Sequence, residues 1–447
     1  MAGNGTTRIR RYALYVLYAV LCTGIQYYTP RTEFVQLITL YGGLFAVYLL
    51  TIRTAGEQIS AREIIFVGLA MRLLVLFAMP NLTDDHYRFI WDGQLTAHGE
   101  NPYTLTPEQV RSKGFPEVKG INEGLYIQLN SVPYYTIYPP LCQGIFAIGA
   151  WLGGDNFSAQ VIIIKFLLLL FEAGTLLMLP TLLRALQINE HHSIWYALNP
   201  LIILEINGNM HLEGIMIFFL CAALLLWHCQ QWIFSAICFG AAIAAKLWPL
   251  MLMPLFFRQL GWRASLRYSV IAGAAALFLL LPMLWQYANI LGSLNLYFQQ
   301  FEFNGSIFYL GKYFFDKDVN YEHFSTMRAS LPFFTLLSIL MLSAVYKKHY
   351  FITAMLLAFT LYLVFATTVH PWYLSPLIFL SVLSCMRYPI LWSLLIYLSY
   401  YTYITPAYIE NMTFVWIEYI LVGGFAIYEF TRKPILNWDM RSIFKQP

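Results

Sequence analysis

Long apolar runs, each ended by a short polar or basic break, set the pattern of this chain. They fall at about 12–28, 33–52, 63–80, 139–153, 158–182, 193–206, 211–229, 232–257, 268–287, 330–346, 350–369, 371–386, 388–404 and 412–430. A bilayer core about 30 Å thick takes ~20 apolar residues per helix. Only helices and closed barrels satisfy their own backbone groups there. The runs therefore predict an all-α polytopic integral membrane protein with about 12–14 transmembrane helices. Pro249 inside the run 232–257 predicts a break near Lys246, giving two half-spans. The run 139–153 reads as a short re-entrant helix. No fixed-period repeat is visible, so residues 1–447 read as a single transmembrane domain.

Composition agrees with this reading. The chain is 59% hydrophobic and 11% charged, against about 25% charged in soluble domains. A net charge of +4 without a basic run gives no footprint for nucleic acid. The six cysteines lie mostly in apolar runs without CxxC spacing and read as small buried hydrophobes. Basic residues orient the chain, because cytoplasmic loops carry the excess of lysine and arginine. The clusters are Arg8/Arg10/Arg11, Arg53 and Arg62, Arg258/Arg263/Arg267, Lys347/Lys348, Arg387, and Arg432/Lys433/Arg441/Lys445. They predict cytoplasmic N- and C-termini, a cytoplasmic tail at 431–447, and two large extracytoplasmic loops at 81–138 and 288–329. The first run follows Arg11 and has no small-residue cleavage site, so it is expected to be retained as a helix.

On this topology four polar islands meet at the outer face: TDDHYR (83–88), NGNMHLE (207–213), the Lys246 break and HPWY (370–373). The first holds Asp84 and Asp85, with Arg88 and Asp92 close behind. A carboxylate at the membrane boundary suits a general base or a metal ligand; a solvated loop cap is the plainer alternative. Adjacent carboxylates in extended chain point to opposite sides. One can then face a substrate while the other orients the loop through Arg88 or a backbone amide. Glu205, His211 and Glu213 interrupt bilayer-depth sequence. Asn207 or Asn209 is expected to cap the helix that follows, and Glu205 to be paired inside the bundle. Lys246 is a costly lone cation in an apolar run, or else a snorkelling one. His370 reads as an interfacial hydrogen-bonded residue, or as a group that changes charge near physiological pH. No Walker loop, GxSxG or HExxH motif is present.

Taken in order, TDDHYRFIWDGQLTAHGENPY, IYPPLCQGIFAIGAW, ALNPLIILEINGNMHLEG, AAKLWPLMLMPLFF and HPWYLSPL resemble the polyprenol-phosphate-mannose-dependent mannosyltransferases of glycosyltransferase family 87 and its near relatives. These are C-type (GT-C) integral membrane glycosyltransferases. The resemblance runs from about 81 to 376, and Glu213 stands where relatives often carry aspartate. It implies a GT-C fold whose extracytoplasmic loops bear short helices. It also implies an inverting transfer of mannose, or a similar hexose, from a polyprenyl phosphate to a lipid or glycan acceptor. That transfer is expected on the extracytoplasmic face of a bacterial cytoplasmic membrane. The base is Asp85 or Asp84, Asp85 ahead because aspartate followed by x-Tyr-Arg is the more recurrent part of the motif. Lys246, His211, His370 and Arg88 are the expected holders of the donor phosphate. Tyr87, Asp92, Tyr103, Tyr138 and Glu213 are expected to position substrate, and 104–136 to help hold the acceptor. No cofactor is required; the Asp84–Asp85 pair permits a divalent metal. The competing class is a lipid or anion transporter or flippase, which would gather its polar residues at mid-bilayer and show paired repeats.

Overall fold

The computed structural model describes residues 2–55, 59–115, 118, 120–315 and 321–433. Residues 434–447, most of the expected tail, lie outside that range, with Arg441 and Lys445 among them. The described chain is helical throughout; its extended pairing is an isolated parallel bridge between Phe303 and Thr368.

Two long helices, α1 (Ala2–Tyr28) and α2 (Phe34–Ala55), form an antiparallel pair joined by a turn at 29–33. Ser60 caps α3 (Ala61–Leu74) by accepting the Glu63 N–H. The long connection that follows carries α4 (Asp85–Ala97), α5 (Pro107–Ser112) and α6 (Glu123–Tyr126). A reciprocal capping box between Thr106 and Gln109 starts α5. The short α7 (Pro140–Gly153) packs against α4 and leads into the long α8 (Phe157–Ala185). Gly93 makes the α4–α7 approach possible, since a Cβ there would lie 2.5 Å from the Phe146 carbonyl oxygen.

The middle of the chain is broken rather than spanning. After α9 (Ile194–Ala197), residues Ile202–Gly208 wind as a π-helix. This segment meets α10 (Glu213–His228) at 112°, with Met210 in a left-handed conformation at the corner (φ 66°). Helix α11 (Trp232–Ala245) stops at Lys246, whose backbone is extended, before a 3-10 turn and α12 (Met253–Leu260). The break expected at Lys246–Pro249 is therefore present. Then follow α13 (Trp262–Leu284), α14 (Tyr287–Gln300), α15 (Ile307–Phe315), α16 (Tyr321–Val345) and α17 (Phe351–Phe365). The last helices are α18 (Ser375–Ser384), α19 (Tyr388–Leu395) and α20 (Met412–Arg432).

Six described helices are long and apolar enough to cross a membrane: Phe34–Thr54, Phe157–Ala185, Trp262–Leu284, Ser325–Val345, Lys348–Phe365 and Met412–Arg432. The bent pair at 202–228 would make a seventh. By length and composition, six of the expected 12–14 spans, or seven with the bent pair, are thus long apolar helices among the described residues. Of the other apolar runs, 12–28 lies in the long α1, and the rest fold as shorter helices where prolines and polar islands interrupt them. The run 388–404, for example, is α19 plus a 3-10 stretch at Ile396–Ile404.

Charge inside the bundle is paired or capped. Arg72 on α3 meets Glu172 on α8 at 2.9 Å, both fully buried, and Tyr196 donates to the same carboxylate. Lys165 on α8 donates to the carbonyls of Val75 and Ala78, which follow α3. It thereby satisfies backbone acceptors at a helix end that water does not reach.

Candidate functional site

The site is built where helices stop. Asp84 and Asp85 open α4 and are both partly buried. Asp84 makes no cap bond; its carboxylate is ion-paired with Arg31 from the α1–α2 turn. Arg31 in turn lies over the Tyr403 ring at 4.7 Å. Asp85 accepts from Asn130 Nδ2 at 3.0 Å. One carboxylate is thus held by a cation and the other is hydrogen-bonded by a neutral amide.

The holding cation is Arg31 rather than the expected Arg88. Arg88 is itself buried. It meets Asp92 at 2.8 Å and donates to the carbonyls of Ser131 (3.1 Å) and Tyr134 (3.0 Å). Asp92 is fully buried and also accepts from Gln143. The pair pins residues 131–134 onto α4. Tyr103 donates its hydroxyl to the Tyr138 carbonyl at 2.7 Å, and the Tyr138 ring stands edge-on to Phe89. Tyr87 stacks on Phe157 beside His86. Burial pushes the His86 imidazole down to about 4, against a smaller opposing effect of a hydrogen bond with the Thr83 backbone.

The 207–213 island is sewn to this loop. Asn207 or Asn209 was the expected helix cap, but α10 begins beyond both, with Leu212 at the cap position and no side-chain cap bond. Asn209 Oδ1 instead accepts the backbone N–H groups of Asn81 and Leu82, at 3.2 and 3.1 Å. Gln26 bridges the same seam, donating to Asn81 Oδ1 and to the Gly208 carbonyl. Glu205 accepts from the hydroxyls of Tyr397 and Tyr400, each at 2.8 Å, and lies 3.4 Å from His211 Nε2. It is paired inside the bundle, as expected.

The remaining islands meet around Trp372. His211 stacks on its indole at 3.7 Å and His370 at 4.4 Å, both within 12° of parallel. Two imidazoles that close and that parallel occupy opposite faces of the indole. Phe303 packs on His370 at 4.6 Å and Tyr373 meets it edge-on. Lys246 is ion-paired with Glu213, and its Nζ lies 4.2 Å from the Trp248 ring centroid and 4.8 Å from that of Tyr373. Contacts of Tyr403 with Phe303 (5.9 Å) and with Tyr400 (5.8 Å) close a ring back to Arg31 and Asp84. Burial, with the charges of His211 and Lys246, pushes His370 down to about 3. It is neutral at physiological pH, and does not titrate there as its position at a helix end suggested.

The structure thus brings Lys246, Glu213, His211 and His370 into one cluster, with Asp84 and Asp85 at its edge. Arg88, Asp92, Tyr103 and Tyr138 knit the loop behind them. Sequence reasoning missed Arg31, Asn130, Trp372 and the tyrosines of 397–403. Arg31 carried a findable signal, being an arginine in the short break between the first two apolar runs. Among the described residues no group of three or more His, Cys, Asp or Glu side chains is placed to hold a metal.

Fold and site together define a polytopic helical membrane protein with a charged, aromatic-lined cluster at its helix breaks. Residues 18–261 match the MptA_B family model, described as alpha-(1→6)-mannopyranosyltransferase, N-terminal domain. That is more than half of the chain, and the chain belongs to this family; it is a membrane glycosyltransferase of mannosyl-transferring type. The match ends at Gly261, so Phe303, His370 and Trp372 lie beyond it. No curated protein and no solved structure matched the chain.

Proposed function

We propose that this enzyme is an inverting GT-C mannosyltransferase with a polyprenyl-phosphate donor, acting at the outer face of a bacterial cytoplasmic membrane with both termini cytoplasmic. The acceptor is a lipid or glycan hydroxyl. Asp85 takes the acceptor proton as the hydroxyl oxygen attacks the anomeric carbon. The bond from that carbon to the phosphate oxygen breaks, and polyprenyl phosphate leaves on the opposite side, as in-line inversion requires.

The observation that carries this reading is the gathering of Lys246, His211, His370 and Trp372, linked through Phe303 and Tyr403 to the start of α4, where Asp85 has no ion-pair partner among the described residues. Asp84 is committed to Arg31, which leaves Asp85 as the base. Among the described residues, Lys246 is the one lysine or arginine of the cluster. A donor phosphate would share it with Glu213 and gain charge in the transition state where Lys246 already sits. His370 Nδ1 and His211 Nε2 are buried without a hydrogen-bond partner among the described residues. Both ring nitrogens are placed to hydrogen-bond a donor phosphate or sugar hydroxyl. Trp372, held between them, offers its edge to the sugar. Arg88 and Asp92 act by fixing the loop, and Tyr103, Tyr138 and Tyr87 by packing it.

The test is transfer of labelled mannose from synthetic polyprenyl-phosphate-mannose in nanodiscs to a membrane-lipid and glycan acceptor pool. Wild type is run beside Asp85→Asn and Asp84→Asn. Label reaching an acceptor, lost in Asp85→Asn with folding intact, is the expected result. Full transfer by Asp85→Asn would remove the assignment of the base.

A further inference from the structure

A second polar cluster lies at the junction of the second outer loop with α20, outside the matched region. Asn304 is fully buried and left-handed (φ 51°), which asparagine tolerates better than most residues. Its backbone N–H donates to Glu410 Oε1 at 2.5 Å, and Tyr309 donates its hydroxyl to the other Glu410 oxygen. Its side-chain Nδ2 donates to both oxygens of Glu418, at 3.1 and 3.2 Å, and Trp392 Nε1 adds a bond of 2.7 Å.

Fully buried Glu418 and partly buried Glu410 are therefore satisfied by neutral donors alone. Among the described residues neither is ion-paired, whereas nearby Glu302 pairs with both Lys312 and Arg328. An ionised carboxylate away from water is costly without an opposite charge. Asn304 Oδ1, also buried, has no hydrogen-bond partner among the described residues. It belongs to the wall of a small cavity whose other oxygen-bearing side chains are Glu410, Ser399, Thr402 and Asn411. The cavity has room for one water-sized guest.

We propose that this cavity binds one hard cation, held by oxygen atoms of Glu410 and Asn304 with hydroxyls of Ser399 and Thr402. Carboxylate, amide and hydroxyl oxygens are the ligands that sodium, calcium and magnesium prefer over soft metals. The ion supplies the charge that the two glutamates lack. It also ties α20 to the segment that serves the first site. Phe303 precedes Asn304, exchanges backbone hydrogen bonds with Thr367 and Val369, and packs its ring on His370. The cation is structural, and its presence does not depend on the reaction proposed above.

Full-length protein in nanodiscs is stripped with chelator, exchanged into choline chloride and heated while tryptophan fluorescence is followed. Sodium, calcium or magnesium chloride is then titrated in at constant ionic strength. One of these salts is expected to raise Tm saturably, since a ligand that binds only the folded state stabilises it. Glu410→Gln should abolish the response and leave the cation-free Tm at or above that of wild type, because the amide removes a buried charge. Thr402→Val, which keeps both carboxylates, should move half-saturation to higher concentration. Absence of any saturable response in wild type overturns the proposal, as does an equal response in Glu410→Gln; both would leave Glu410 a protonated acid. Asp85→Asn keeps the shift even if it abolishes transfer, so the two readings fail separately.

Discussion

At the scale of single residues, the assignment of Asp85 and Asp84 turns on their different partners. A positioned general base contributes about 10²–10⁴-fold. Asp85→Asn should therefore lower kcat by that order while Tm and donor affinity stay near wild type. Asp84→Asn instead loses its pairing with Arg31, which holds the start of α4. It should raise the donor KM and lower Tm, with a smaller loss in kcat, measured in the same nanodisc assay. His86 gives a pH signature of its own. Its ordinary value near 6.5 is pushed down to about 4 by burial in the fold. Its contribution to stability is thus fully present above pH 6.5 and is lost as pH falls towards 4. The fall in Tm between pH 7 and 4.5 should be shallower in His86→Phe than in wild type.

Between elements, close approach and buried pairing decide what can change. Gly93→Ala would drive a Cβ to within 2.5 Å of the Phe146 carbonyl oxygen, an atom of the backbone that cannot step aside. Overpacking of this kind costs about 1–3 kcal/mol, and a lowered Tm would register it. Arg72→Ala would strand buried Glu172 and should cost about 3–5 kcal/mol, whereas Arg72→Met with Glu172→Leu should recover most of that. The elements themselves were only partly legible in the sequence. The apolar runs and the stop at Lys246–Pro249 were readable because proline and hydropathy act locally. The π-turn at 202–208 was not, since nothing in ILEING distinguishes it from a straight helix. Its shape comes from Asn209 binding Asn81 and Leu82, a contact far away in sequence. The same distance hid Arg31, which sits in a stretch that looks like an ordinary turn, and the stacking role of Trp372, which lay in plain view inside the HPWY island but whose partner His211 is remote in sequence.

For the molecule as a whole, helices that stop short matter as much as helices that cross. Breaks at 209–212, Lys246 and His370 deliver polar groups from three remote segments to one place, and the bonded seam at Asn209 fixes the start of the 81–138 loop against them. That seam limits how the protein can be recombined. Exchanging residues 81–138 alone for the matching loop of a relative would put foreign backbone against Asn209. Where the new path differs, two amide N–H groups lose their acceptor, each at a cost of about 1–3 kcal/mol. Exchanging 18–261 moves both sides of the seam together and cuts instead between His211 and Trp372, where stacking tolerates small displacements. A library of chimeras scored for folding should therefore show residues 81–82 and 205–213 surviving only when they come from the same parent: two distant stretches that behave as one heritable module.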